Sequence, residues 1–202
     1  MYKKVQNDMD RSESKNSKKI VETAINLFKE HGYNNVSVNQ ICAEAGIARS
    51  SFYSVFLSKD DLILHLYSDE FTEDKNLMDN FVSAENDFER IWLLYAYFIN
   101  LAMNVGPVVS ASLMIIELNK NAGIYDKMMK VRKWSIPLCK NCQKLGIIRN
   151  TTDAGVLLPL VSASLNNLVF EWSRKRGDFP LYEQSRQAAE VLFDVAPEFR
   201  KS

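Results

Sequence analysis

Apolar positions along this chain recur at three- and four-residue spacing almost throughout, the period of helices that bury one face. From Ser17 onward Ile20, Ala24, Leu27, Phe28 and His31 fall on one stripe, and Gly32 ends it. Ser37, with Gln40 three residues on, makes a capping box for a second helix. Its apolar face is Val38, Ile41 and Ala45, and Gly46 closes it. A shorter helix follows from about Ala48 to Val55, anchored by Phe52 and Phe56. At that length it cannot stand alone and must pack on its neighbours. Ser58 and Asp61 cap a longer helix that carries Leu62 and Leu66 and fades towards Phe71. The stretch from Phe71 to Glu85 is ambiguous: the helix runs on to Phe81, or a loop intervenes around Ser83–Glu85.

The remainder is richer in apolar residues. Phe88 to Asn104 is apolar almost all round, the mark of a helix surrounded by protein. Gly106 and Pro107 break it, and Pro107 suits the first turn of the next helix, which runs to about Asn119. A helix from Ile124 to Lys144 is closed by Gly146, and Thr151, Thr152 and Asp153 cap another that reaches Arg176. Pro159 lies inside that one and predicts a kink or a later true start. The last helix spans Leu181 to Asp194, and Pro197 stops it. No apolar run shows strand period. The pattern predicts nine helices in an all-α fold: a three-helix N-terminal helix-turn-helix unit over 17–60, then a bundle of about six helices over 61–202. Residues 1–16 are polar and unpatterned and read as a mobile arm.

The short helix carries the chemistry. Opposite its phenylalanines stand Arg49, Ser50, Ser51 and Tyr53, with Ala48 and Ser54 at its ends. A small, hydroxylic and cationic face suits a helix laid in the DNA major groove. Ser37 and Asn39, at the start of the preceding helix, are placed to meet phosphates.

The stretch from Ile20 to Leu66 resembles the DNA-binding region of the tetracycline-repressor (TetR) family. The likeness rests on IVETAINLFKEHGYNNVSV, then AEAGIARSSFYSVFLSKDDL, with Lys59 at the next helix start. Beyond Leu66 only the architecture matches. The resemblance implies a homodimeric regulator of double-stranded operator DNA, with Tyr53 and Lys59 touching the phosphate backbone. It also implies a dimer built as a four-helix bundle from the last two long helices, here through Leu157, Val161, Leu165, Leu168, Ala188 and Leu192. Finally, it implies a pocket for a small hydrophobic effector in the second domain. Candidate lining residues are the aromatics and methionines Trp92, Tyr95, Met103, Met114, Met128, Trp134 and Phe170, with Asn100 and Asn166 to orient a ligand.

Bulk composition changes this picture little. The chain of 202 residues is 47% hydrophobic and 25% charged, as in ordinary globular proteins. Its net charge is zero. Residues 1–60 hold nine Lys and Arg against seven Asp and Glu, an excess of the right sign but too small to argue for DNA alone. Three cysteines, an odd number, suit a reducing cytoplasm rather than a disulfide framework. The first 19 residues are polar, so no signal peptide is expected. No apolar run reaches membrane length, the longest being Ile91–Met103, so no membrane partner is expected. Cys139 and Cys142 lie one helical turn apart, but a zinc site needs further ligands and the two histidines, His31 and His65, lie elsewhere. No metal or cofactor is expected. With no nucleophile–base pair and no phosphate loop in the second domain, an enzyme is the weaker alternative. Another alternative is a helical regulator answering to a protein partner or to cysteine oxidation; a helical adaptor with no DNA role is a third.

Overall fold

Six apolar side chains from the first three α-helices, Ile20, Ala24, Phe28, Ile41, Ala45 and Phe52, have no exposed surface at all, and the N-terminal unit forms around them. The computed structural model of the chain describes residues 2–65, 75–120 and 124–201, with side chains for 17–65, 75–119 and 131–201. Helix α1 runs Tyr2–His31, so its backbone is helical through the segment expected to be a mobile arm. That segment has no Gly or Pro and is rich in good helix formers, which lets a helix extend without an apolar stripe. Helix α2 (Val38–Ala45) opens on the full capping box, Ser37 Oγ accepting from Gln40 N and the Gln40 side chain accepting from Ser37 N. It ends at Gly46, whose φ of 64° is left-handed and free of strain only for glycine. Helix α3 (Arg49–Tyr53) is a turn shorter than the pattern suggests, because the chain leaves it at Ser54 before Phe56 turns back into the core. Helix α4 begins at Lys59 and is described to His65; Leu66 and Phe71 lie outside the described residues.

Helix α5 (Lys75–Ser83) occupies the stretch whose periodicity was ambiguous, and brings the described α-helices to ten rather than nine. Helix α6 (Asp87–Val105) and α7 (Pro107–Lys120) meet at Gly106, where the axis turns by 114°. Helix α8 spans Ile124–Lys144, α9 Ala154–Arg174 and α10 Leu181–Leu192. Pro159 does not delay α9: Asp153 accepts from Gly155 N at 2.8 Å and the helix starts at Ala154. Among the described residues the only β pairing is the isolated bridge Ile148–Val195, which ties the C-terminal segment to the α8–α9 connection.

Two cores result. In the first, the apolar faces of α1 to α4 close over Val105, Val109, Leu113 and Ile116. The N-terminal unit is therefore completed by α7, which packs on both α1 and α4. The second joins α6, α8, α9 and α10 around Phe88, Trp92, Leu158, Val161 and Phe193. It encloses a buried ion cluster. Arg186 donates to Glu89 at 2.6 and 3.1 Å and to Glu190 at 2.5 Å, with its guanidinium 4.8 Å from the Phe88 ring centre.

Candidate DNA-contacting face and ligand cavity

The outer face of α3 follows from how α3 is anchored. Phe52 and Phe56 point into the first core with 0% and 1% exposure. The residues between them are turned out to solvent by the helical period. Ala48, Arg49, Ser50, Tyr53 and Ser54 are exposed, and Ser51 is half-buried. Ser37 and Asn39 are exposed on the start of α2. The Arg49 guanidinium lies 5.8 Å from the centre of the Tyr53 ring, so the cation and the hydroxyl-bearing ring form one projecting unit. Ser54 Oγ donates to Ser51 O at 2.9 Å, and Ser37 Oγ is held in its capping box with Gln40.

Lys59 is placed differently from the expectation. Its Nζ donates to Tyr33 O at 2.6 Å and Val36 O at 2.8 Å, and stands 4.1 Å from the Tyr33 ring centre. Partial burial pushes its pKa below the usual lysine value. Tyr33 in turn donates its hydroxyl to Asp60, and burial, that hydrogen bond and the Asp60 charge hold its pKa well above the ordinary tyrosine range. Lys59 thus pins the α1–α2 connection to the start of α4. These partners come from a segment 23 to 26 residues away, which no local spacing announces.

A cavity of about 720 Å³ lies between α6, α7 and α9. Its size is that of a small-molecule site. Tyr95, Met114, Asn166 and Phe170, four of the expected residues, line it. Four do not contribute. Asn100 and Met103 are exposed on another face of α6, and Trp134 is 43% exposed on α8. Trp92 is turned towards α10, where its Nε1 donates to Tyr182 at 3.1 Å. The Met128 side chain lies outside the described ones. Pattern reading misses Ile99, Ala102, Ser110, Leu113, Ser162, Val169, Ser173 and Arg174, which all line the space. Their signal was the small residue: Ala102, Ser110 and Ser162 leave room where a larger side chain would fill it. Ile115, Leu118 and Phe170, 58%, 86% and 50% exposed, leave apolar surface in water beside the opening.

Helix α7 reads as three parallel stripes. Val109, Leu113 and Ile116 face the first core; Ser110, Met114 and Glu117, with Ala111, Ile115 and Leu118 beside them, face the cavity. Leu113 belongs to both.

The dimer expectation is corrected in part. Leu157, Val161 and Leu165 are 3%, 0% and 4% exposed within their own subunit and cannot also meet a partner. Leu168, Ala188 and Leu192 are half-buried against the same core. The face of α9 left outside carries Val156 and Leu160, and α10 leaves out Val191, exposed by 53%, 57% and 64%. The membrane expectation also shifts. Helix α9 is long and apolar enough to cross a membrane, with a mean hydropathy of 1.3 over 18 residues, because Ala, Ser and Gly interleave its leucines and valines. In this fold it packs on α7, α8 and α10. Cys139 and Cys142 are fully buried, and burial, with a smaller push from Asp153 and Asp87 respectively, raises their thiols to about 11 and about 12. Such thiols resist oxidation at neutral pH.

The fold and its two sites define a helix-turn-helix protein whose second, cavity-bearing domain shares a helix with the DNA-binding unit. Residues 20–66 match the family model of the bacterial regulatory proteins of the tetR family. A Bacillus subtilis HTH-type transcriptional regulator, YuxN, is 41% identical over 64 residues, which are 30% of this chain and only 22% of that protein. Over most of the chain the sequence likeness is lower, 21% identity over 181 residues to the probable acrEF/envCD operon repressor of Escherichia coli, covering 85% of this chain and 82% of that protein, and the likeness in structure spans the same length. A TetR-family transcriptional regulator from Agrobacterium tumefaciens aligns with a TM-score of 0.66 at 18% identity, covering 91% of this chain and 99% of that one. The FadR regulator of Bacillus subtilis, solved with stearoyl-CoA, aligns at 0.60 and 17% identity, covering 87% and 96%.

Proposed function

We propose that this regulator is a dimeric repressor, released from a pseudo-palindromic duplex operator when a small hydrophobic ligand fills the α6–α7–α9 cavity. The observation that carries the reading is α7, one stripe of which completes the core beneath the recognition helix while the others wall the cavity. A ligand that displaces Met114 or Leu113 must move the shelf on which α1 and α4 rest. That changes the spacing of two recognition helices, which must stay roughly 34–36 Å apart to enter successive major grooves. The binding of stearoyl-CoA by a protein of the same fold supports a hydrophobic occupant. The exposed face of Arg49, Ser50 and Tyr53 supports contact with bases and phosphates.

The test is a pair of calorimetric titrations of ligand into protein, with and without operator. Linkage requires operator to weaken ligand binding by the same factor by which ligand weakens operator binding, typically about 5–150-fold. Equal ligand affinity in both titrations sinks the release mechanism. Tryptophan emission is a poor readout here, because none of Trp92, Trp134 and Trp172 lines the cavity.

The dimer face is the outward stripe of α9 with α10. Leu160→Glu puts a charge on that stripe without touching the core. It is expected to give a folded monomer by light scattering, with operator affinity collapsed because one half-site is lost. A dimer that survives Leu160→Glu places the interface elsewhere.

A further inference from the structure

One polar group in the cavity wall has no partner. Helical serines ordinarily return their hydroxyl to the carbonyl four residues back. Ser112, Ser135 and Ser162 do so, at 3.0, 3.0 and 2.9 Å. Ser173, in the last turn of α9, lines the cavity and is 8% exposed, yet its Oγ has no hydrogen-bond partner among the described residues. The other hydroxyls of the wall are engaged: Ser110 with Ala102 O, and Tyr95 with Leu158 O and Ser162. A buried hydroxyl left unsatisfied is destabilising unless a ligand completes it.

The charges beside it narrow the ligand further. Arg174 is the cation nearest in sequence, and its Nε and Nη2 are held by both carboxylate oxygens of Glu171, at 3.2, 3.2 and 2.6 Å. The one other charged lining residue, Glu117, is an anion. Among the described residues that line the cavity no further cation stands to receive an anionic head; Arg132 acts on Tyr95 from α8 but does not line the space, and burying an unpaired carboxylate is heavily disfavoured. The shape is elongated. Ser162 and Ser173 both line the space and stand eleven residues apart on one helix, about 16 Å.

We infer that the cavity takes a neutral, elongated amphiphile bearing a single hydrogen-bonding group, such as a long-chain alcohol or ester, whose head is held by Ser173. This rests on the ligand-released reading above and differs from the CoA thioester bound by FadR.

The experiment displaces a fluorescent apolar dye from the intact protein with 1-decanol, methyl decanoate, 1-chlorodecane, decanoate and decanoyl-CoA, using wild type and Ser173→Ala. The alcohol and ester are expected to bind on the order of tenfold more tightly than decanoate or its CoA thioester. Ser173→Ala should weaken 1-decanol by roughly 2–13-fold, the range of one hydrogen bond, and leave 1-chlorodecane unchanged. It should melt at or above the wild-type temperature, since it removes an unsatisfied hydroxyl; that separates a ligand contact from a structural role. Tighter binding of decanoate or decanoyl-CoA, or decanol affinity untouched by Ser173→Ala, overturns the inference while the ligand-released reading stands. If neither dye nor any probe binds, both fall.

Discussion

The two cores of this protein are built on opposite terms. All eight buried polar or charged side chains among the described residues, from Glu89 to Glu190, fall in the bundle or on α7; none lies in α1 to α5. The N-terminal core is a matter of apolar volume, where Phe28, Phe52 and Phe56 meet Leu113 and Ile116. Its polar work is done at the edge, by Lys59 on two carbonyls. The bundle core instead closes over Arg186 and two glutamates and over several serines, each needing a specific partner. Apolar matching specifies a fold loosely and tolerates substitution, whereas buried polar groups make a core unforgiving and give it something to recognise.

The sharpest way to break this contrast is Arg186→Met. It leaves Glu89 and Glu190 buried without their cation and should lower stability by about 3–5 kcal/mol, read as a fall in the urea midpoint. Adding Glu89→Leu and Glu190→Leu to that variant should recover most of the loss, since an apolar replacement of a whole buried ion cluster is often neutral. Failure to recover would mean that the cluster specifies the packing of α6 against α10.

Lys59→Met tests the edge of the other core and has a smaller effect. Two charge-assisted hydrogen bonds are lost at a partly exposed site, so stability should drop by about 1–2 kcal/mol. If Lys59 is only a strut, operator affinity plotted against salt keeps its slope. If its third N–H also meets a phosphate, the slope falls by about one.

A third effect is absent at neutral pH and confined to alkaline solution. The thiols of Cys139 and Cys142 ionise near 9.0 when unfolded but only at about 11 and about 12 when folded. A raised folded pKa gives stability that is complete below pH 9 and is lost as pH rises towards 11 and 12. The urea midpoint of wild type should therefore fall more steeply between pH 9 and 11 than that of Cys139→Ala combined with Cys142→Ala. Matching slopes would show that the two sites are open to water.

Much of this arrangement is legible in the sequence where the governing interactions are local. The Ser37–Gln40 box, the Gly46 turn, the Phe52–Phe56 anchor and the break at Gly106–Pro107 each lie within one or two turns and fold as written. What escapes is long-range. Arg186 finds Glu89 across 97 residues, and Trp92 finds Tyr182 across 90, so aromatic spacing alone sends Trp92 to the wrong side of α6. Helix α9 is apolar on two faces, and nothing in its sequence says which of Leu160 and Val161 meets its own subunit. The cavity is marked by small side chains rather than by the tryptophans that attract the eye.

Leu113 has a consequence for how such proteins can be recombined. The segment matching the family ends at residue 66, yet the core beneath it is finished by side chains at 105, 109, 113 and 116. A chimaera joined just after residue 66 would hand the DNA-binding unit a foreign floor, and its Phe28, Phe56 and Leu62 would meet whatever helix the donor supplies. A graft that carries Val105 to Ile116 along with residues 17–65 keeps that floor but imports one wall of the old cavity. Under the proposed function, operator preference and effector preference are therefore not freely exchangeable parts: they are inherited together through a single helix of fourteen residues.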